Sequence, residues 1–210
     1  MLAGGLRKGE LCVFYGTVEA GVGGVRRHLP DVVGHCARYT GAVLYVPLIE
    51  VATGALREVQ RRLDKAKAYP IRALGTRLRD MEDIAEQADR YAQRDDIRLM
   101  VIDPFEAIIP DRTPDQADPD ADPEDEETAE AEAAQVSRDL KALARSIHAP
   151  IVLTCVTWTG RKRGYRHNLP DHGRELPADP LVAAADVMLR TNGRYPEMVK
   201  NRHGLTQLAW

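Results

Sequence analysis

The first residues that could do chemistry form a glycine-rich stretch between a short apolar run and a helical pattern. Its members are Gly16, Thr17, Val18, Glu19, Ala20, Gly21, Val22, Gly23 and Gly24. A glycine-rich turn between a strand and a helix can turn its backbone N–H groups toward an anion, and the helix N-terminus adds a favourable dipole. The stretch therefore predicts a place where phosphate groups could bind, although a tight structural connection can have the same composition.

Two side chains that a working phosphate loop needs are absent from this stretch. Such loops have the pattern GxxxxGK[ST], in which the lysine neutralises the phosphates and the hydroxyl holds Mg²⁺. Gly16 and Gly21 have the required spacing, but Val22 stands at the lysine position and Gly23 at the hydroxyl position. The loop could still offer N–H groups, but it cannot supply the charge or the metal ligand.

A single aspartate, Asp103, follows the apolar run Leu99–Ile102. An aspartate at the carboxyl end of a buried strand, downstream of a glycine-rich loop, is typical of proteins that hold Mg²⁺ beside a nucleotide. The alternative is that Asp103 caps the turn after the strand.

A basic loop is predicted over residues 160–180, where proline and glycine interrupt the chain. Its cationic side chains could neutralise the phosphates of single-stranded nucleic acid, and Trp158 and Tyr165 could stack on bases. The candidate nucleic-acid-binding residues are Arg161, Lys162, Arg163, Arg166 and Arg174. A solvated loop that is balanced by an acidic segment elsewhere explains the composition equally well.

Apolar runs that alternate with amphipathic patterns indicate the elements that would position these residues. Strands are predicted at 11–15, 43–48, 71–74, 98–102, 151–156, 186–191, 197–202 and 205–210, and helices from the glycine-rich turn to about 39, then at 52–68, 78–93 and about 124–148. Asn192-Gly193 between two strands predicts a hairpin. The alternation predicts an α/β fold with a mostly parallel sheet, helices on both faces and an antiparallel hairpin at the C-terminal edge.

Length and composition predict one domain over residues 1–210 with an acidic insertion. Residues 113–133 contain ten acidic and no basic side chains, so a solvated, flexible insertion is predicted, with a helix starting from Glu124. The net charge of −3 argues against coating by nucleic acid but not against a local basic site. Three cysteines without a CxxC pair and no long apolar stretch predict a cytoplasmic protein with no membrane contact.

Four further motifs resemble, in order and spacing, those of DnaB-type replicative helicase domains and their RecA-like relatives. The motifs are the lead-in Gly4-Gly-Leu-Arg-Lys-Gly-Glu-Leu, the element Leu48-Ile-Glu50, the helix Val136-Ser-Arg-Asp-Leu-Lys-Ala-Leu-Ala-Arg145 with the following Ala149-Pro-Ile-Val-Leu, and Lys200-Asn-Arg-His-Gly204. The resemblance covers nearly the whole chain. It implies a RecA-like P-loop fold in which Glu50 activates water, Asp103 holds Mg²⁺, and Lys200 and Arg202 reach the nucleotide of a neighbouring subunit.

The sequence also departs from this family in its catalytic parts. Besides the lysine and the hydroxyl, the Ser-Gln that would sense the γ-phosphate is replaced by Cys155-Val156, and the tyrosine after the aspartate is Pro104. The resemblance therefore implies a degenerate member, a pseudo-ATPase linked to DNA replication or recombination. We expect ATP or ADP with Mg²⁺ to bind weakly or not at all, and single-stranded DNA, a protein partner or further copies in a ring to be the partners.

Two alternatives stay open at this point. One is an active ring-forming ATPase or helicase that uses Glu50 and Asp103 in cis and Lys200 and Arg202 in trans, with Arg26 or Arg27 replacing the missing lysine. The other is a structural scaffold that binds no nucleotide.

Overall fold

The computed structural model describes residues 6–17, 22–48, 50–63, 70–74, 80–108, 123–157, 179–191 and 196–203. The elements in chain order are β1 (Leu11–Thr17), α1 (Val22–Tyr39), β2 (Ala42–Pro47), α2 (Glu50–Leu63), β3 (Ile71–Ala73), α3 (Met81–Ala92), β4 (Ile97–Asp103), a 3₁₀ turn (Phe105–Ala107), α4 (Pro123–Ser146), β5 (Ile151–Thr157), α5 (Pro180–Ala184), β6 (Val187–Thr191) and β7 (Pro196–Asn201).

The strands form one seven-stranded sheet in the order β3-β2-β4-β5-β1-β6-β7. Every neighbouring pair is parallel except β6 and β7, which pair antiparallel. The structure thus confirms the α/β class, the mostly parallel sheet and the antiparallel C-terminal edge. The central strands are buried on both faces, which explains why their sequences are almost continuously apolar.

Two apolar layers flank the sheet, one on each face. Alternate strand residues point to opposite faces, so that Leu11 and Val13 belong to one core and Cys12 and Phe14 to the other. The first core is closed by the buried faces of α3, α4 and α5, and the second by those of α1 and α2.

Two boundaries of the glycine-rich stretch differ from the prediction. Gly16 and Thr17 were expected in a turn, but they are the last residues of β1 and pair with residues 156 and 157 of β5. The reason is that β5 itself continues to Thr157 and offers a parallel partner to both residues. The helix begins at Val22, so that residues 22–24 are helical, and the connection comprises residues 18–21.

The helix α5 was not predicted. Asp179 accepts hydrogen bonds from the N–H groups of Leu181 at 2.8 Å and Val182 at 3.4 Å, and Pro180 follows it as the first helical residue. An aspartate cap followed by proline is a helix-start signal, so the sequence did contain the evidence for this element.

The lead-in to β1 is a tight turn that requires a glycine. Gly9 has a φ of +75°, and the N–H of Glu10 donates to the carbonyl of Arg7 at 3.1 Å. The Glu10 carboxylate in turn accepts from the N–H of Arg7 at 2.7 Å. Gly9 and Glu10 of the lead-in motif are therefore explained by the conformation of this turn, independently of catalysis.

The acidic segment predicted at 113–133 falls partly within α4. Pro123 is the first helical residue, and acids follow it in the first turn, where the helix dipole favours them. Residues 113–122 lie outside the described residues, so the predicted flexible insertion stays a prediction. None of the helices among the described residues has the length and apolar character needed to cross a membrane.

Candidate functional site

The carboxyl ends of the parallel strands bring three of the predicted positions to one edge of the sheet, hereafter the carboxyl edge. β1 ends at Thr17, β4 ends at Asp103, and Glu50 is the first residue of α2, two residues beyond Leu48, whose N–H donates to the carbonyl of Asp103 at 2.8 Å. β2 and β4 are neighbours, yet β2 leads through α2 to β3 on one side and β4 leads through α4 to β5 on the other. Where the connections from two neighbouring strands run in opposite directions, a crevice forms at the carboxyl ends of these strands. This crevice is the usual ligand position in open α/β sheets.

Asp103 lies at the bottom of this edge and has no exposed surface. Its Oδ2 accepts a hydrogen bond from the hydroxyl of Tyr45 on β2 at 2.8 Å, and its Oδ1 accepts one from the hydroxyl of Thr154 on β5 at 2.6 Å. Both oxygens of a buried carboxylate are thus held by side chains from the two neighbouring strands. Charge-assisted bonds of this kind compensate much of the cost of removing the carboxylate from water.

The glycine-rich stretch contributes a helix start to the same edge. Val22 and Gly23 are the first two residues of α1, which is where a phosphate loop would carry its lysine and its hydroxyl. Val18, Glu19, Ala20 and Gly21 lie outside the described residues. The helix N-terminus retains backbone N–H groups, but neither of its first two residues has a cationic or hydroxyl side chain.

These residues do not fit Mg²⁺ held in the manner of the RecA-like family. Gly23 has no oxygen to ligate a cation, and the Asp103 carboxylate is fully buried and bonded to two hydroxyls. Mg²⁺ demands near-octahedral oxygen ligands and keeps several of its waters, for which a carboxylate must face a hydrated space. No reaction step through a metal follows from this arrangement.

Lys200 and Arg202 lie at the opposite edge of the sheet, hereafter the amino edge. β7 runs antiparallel to β6, so that Lys200 pairs with Met188 near the start of β6. Lys200 Nζ donates to the carbonyl of Val182 at 2.6 Å, and the Arg202 guanidinium donates to Asp186 Oδ1 at 3.0 Å. Burial lowers the pKa of Lys200 more than the nearby Asp186 carboxylate raises it. Both side chains are therefore engaged within their own chain.

Asp186 is the centre of a polar cluster at the amino edge. Its Oδ2 accepts from the N–H of Leu11 at 2.8 Å and also contacts Nζ of Lys141 on α4. Burial raises the pKa of Asp186, but the bonds from Lys141, Leu11 and Arg202 outweigh it, so that the pKa lies below its usual value. Burial, and to a lesser extent the Glu10 and Asp186 carboxylates, raises the pKa of the Cys12 thiol. A raised thiol pKa is typical of an unreactive cysteine.

The remaining candidates have less structural description. The backbone of Glu50 begins α2, but its side chain is outside the described part of the chain. The basic-loop residues Arg161, Lys162, Arg163, Arg166 and Arg174 also lie outside the described residues, and the nucleic-acid interface predicted there stays a prediction.

Sequence reasoning missed the partners of Asp103 and Asp186. Tyr45 and Thr154 were assigned only to strands, because no local pattern tells which strands become neighbours in the sheet. Asp186 was predicted as the start of a strand, and Lys141 as part of a helix. Only the strand order, with β4 between β2 and β5, brings Tyr45 and Thr154 to Asp103.

Comparison of the sequence with protein-family models and with curated proteins gave no match in either case.

Proposed function

We propose that this chain is a RecA-like domain derived from a P-loop ATPase, in which the nucleotide site has degenerated, and that it binds a nucleic-acid or protein partner instead of turning over ATP. The observation that carries the proposal is the carboxyl edge. The positions of the loop lysine, the metal-binding carboxylate and the water-activating glutamate follow β1, β4 and β2 at one edge, as an ATPase would need. The first of these positions has lost its side-chain chemistry, and the carboxylate of the second is held inside the protein.

The strand order supports the ancestry. β5 lies between β1 and β4, and the connection from β2 diverges from that of β4. This arrangement is compatible with a RecA-like sheet and with other doubly wound α/β sheets. The lead-in turn, the helix α4 and the Lys200–Gly204 motif then favour the RecA-like group through their order along the chain.

The missing groups predict very slow hydrolysis. Removing one preorganised electrostatic contact to a transition state typically costs ~10²–10³ in rate. Here the lysine, the loop hydroxyl and the γ-phosphate sensor are all replaced. The effects are not additive, but together they leave little stabilisation for a transferring phosphoryl group.

An active ring-forming ATPase is less well supported. It would need Lys200 and Arg202 to reach a neighbouring subunit, whereas both are bonded to Val182 and Asp186 of their own chain. It would also need a substitute for the missing lysine. A scaffold without any nucleotide is compatible with the same geometry, and nucleotide titration separates it from a weak binder.

Steady-state ATP hydrolysis by the purified protein and by its Glu50→Gln variant tests the proposal. We expect the two rates to be equal within error, because without the loop lysine and hydroxyl no bound phosphate is activated for attack by the water that Glu50 would orient. A rate well above background that is lost in Glu50→Gln would contradict the pseudo-ATPase and favour the active enzyme.

A further inference from the structure

The amino edge presents a group of basic side chains to solvent. Three segments meet there: the lead-in turn before β1, the end of α4 and the end of β7. The exposed members are Arg7, Lys8, Arg145, His148, Arg202 and His203, which together are called the amino-edge patch. The Gly9 N–H donates to the Ala149 carbonyl at 3.4 Å, and the Arg202 N–H donates to the Asp186 carbonyl at 2.8 Å, so the segments are tied together by backbone bonds.

Positive and negative charges are separated by depth at this edge. The two carboxylates, Glu10 and Asp186, are 6% and 2% exposed. The Glu10 carboxylate accepts a hydrogen bond from the Arg7 N–H and contacts the His203 ring. The Asp186 carboxylate accepts from the Leu11 N–H and pairs with Lys141 and Arg202. Two exposed carboxylates of the neighbouring elements have partners of their own: Asp89 accepts from Ser146 on α4, and Asp96, just before β4, pairs with Arg98.

The outward side of the patch is therefore cationic. Arg202 keeps 66% of its side chain exposed while it donates to Asp186. Arg7, Lys8 and Arg145 are exposed, and among the described residues their side chains form no recorded ion pair. The aliphatic part of Arg145 lies against Gly9, which fixes the root of this side chain beside the lead-in turn. The cations thus lie on segments that backbone hydrogen bonds join to one another.

The chemistry of the patch selects a class of partner. Protein interfaces usually bury an apolar or aromatic centre, whereas the one large exposed apolar side chain recorded among the described residues is Tyr39, at the end of α1 and outside the patch. Single strands are held largely by stacking on aromatic rings, which the patch lacks. Arginine and lysine without such rings suit the phosphates of a duplex, whose complexes are polar and strongly basic on the protein side.

We propose that the amino-edge patch binds the phosphate backbone of double-stranded nucleic acid without reading its sequence. This surface is distinct from the basic loop at 160–180 and from the carboxyl edge. It does not depend on whether the chain binds or hydrolyses nucleotide, so it would survive failure of the pseudo-ATPase proposal.

Fluorescence anisotropy with a labelled 20-base-pair duplex, about two helical turns long, tests the surface over a range of salt concentrations. The patch variant is Lys8→Glu with Arg145→Glu. We expect a loss of affinity of at least tenfold at low salt, and a shallower salt dependence by roughly 0.9 in the log–log slope for each phosphate contact that is lost.

Two control variants isolate the location and the charge. Arg57→Glu with Arg90→Glu makes the same change in net charge on exposed positions of α2 and α3, and should bind like the unchanged protein. Lys8→Arg with Arg145→Lys keeps the charge of the patch and should also bind normally. Circular dichroism melting of each variant shows that the fold is retained.

Four results would overturn the proposal. The unchanged protein fails to bind the duplex at low salt. Arg57→Glu with Arg90→Glu weakens binding as much as the patch variant, which would indicate a general effect of net charge. Arg161, Lys162 and Arg163→Ala abolish duplex binding while the patch variant does not, which would assign it to the basic loop. Poly-glutamate binds through the patch and duplex does not, which would assign the patch to an acidic protein.

Discussion

At the residue scale, the environment of Asp103 bears directly on the proposed loss of ATPase activity. A carboxylate that holds Mg²⁺ through water must face a hydrated space, but Asp103 has no exposed surface and is bonded to the hydroxyls of Tyr45 and Thr154. These hydroxyls give the aspartate a structural role that is satisfied without a ligand. The aspartate at the end of β4 is thus compatible with a structural role as well as with metal binding.

Tyr45→Phe measures this role directly. The change removes one donor to a buried carboxylate at almost constant volume, so we expect a loss of ~1.5–3 kcal/mol in the free energy of unfolding, measured by urea denaturation. Tyr39→Phe is the matched control, because Tyr39 is 72% exposed and should change stability by less than about 0.5 kcal/mol. Equal effects at both positions would show that the bond to Asp103 contributes little.

The sequence located the candidate site only in part. The start of a helix after the glycine-rich stretch and the aspartate at the end of a buried strand were predicted from local patterns, and both lie at the carboxyl edge. Gly16, by contrast, was expected in a turn and lies in β1. The partners Tyr45 and Thr154 could not be found, since they are 58 and 51 residues from Asp103 and meet it only through the strand order. The contacts of Lys200 and Arg202 with Val182 and Asp186 were missed for the same reason.

At the scale of elements, two glycines have opposite reasons for being present. Gly9 adopts a positive φ in the lead-in turn, and a Cβ there would lie 3.3 Å from Cγ of Arg145. Gly54 lies in α2, is exposed, and an added Cβ would meet nothing within 4 Å. Gly9 is required by the conformation of the backbone, whereas Gly54 lowers the stability of α2.

Alanine substitutions at these glycines should therefore change stability in opposite directions. Gly9→Ala forces a side chain into the left-handed region and should destabilise by ~1–2 kcal/mol. Gly54→Ala should stabilise by ~0.5–1 kcal/mol through helix propensity. Thermal unfolding of both variants gives the signs, and a neutral or stabilising Gly9→Ala would mean that the turn can relax without cost.

The elements were largely predictable, because buried parallel strands have nearly continuous apolar sequences and the helices have a clear apolar face. The errors are one strand end and one short helix. β1 continues to Thr17 because β5 pairs with it to Thr157, a tertiary contact that no local window contains. α5 was missed although Asp179-Pro180 signals a helix start, because five helical residues are too few for a periodic pattern.

At the scale of the whole molecule, the two edges of the sheet carry different chemistry. The carboxyl edge holds the start of α1 and the buried Asp103, which we propose to be the remains of a nucleotide site, and the amino edge holds a buried acidic centre under a basic surface. Asp186 joins the start of β1 to α4 and β7 at the amino edge, so it connects elements that are far apart in sequence.

The pH dependence of stability should report on Asp186. Its pKa in the folded state is lowered, so its contribution is present at neutral pH and is lost as the pH falls below its unfolded value of about 4. Asp186→Asn leaves the largely buried Lys141 without its carboxylate and should cost on the order of 3 kcal/mol at pH 7. Denaturation at several pH values should show this gap shrinking toward pH 3, and a constant gap would exclude a charge effect.

The pseudo-ATPase proposal is tested most directly by calorimetric titration of ATP with and without Mg²⁺. The account predicts that Mg²⁺ does not strengthen ATP binding to the unchanged protein, because Val22 and Gly23 replace the lysine and the hydroxyl. It also predicts that Val22→Lys with Gly23→Thr tightens ATP binding at least tenfold, because the new lysine supplies the missing positive charge. Mg²⁺ should add little to this variant as well, since the Asp103 carboxylate is buried against Tyr45 and Thr154. Binding to the unchanged protein that tightens tenfold or more with Mg²⁺ would contradict the account and indicate a working nucleotide site.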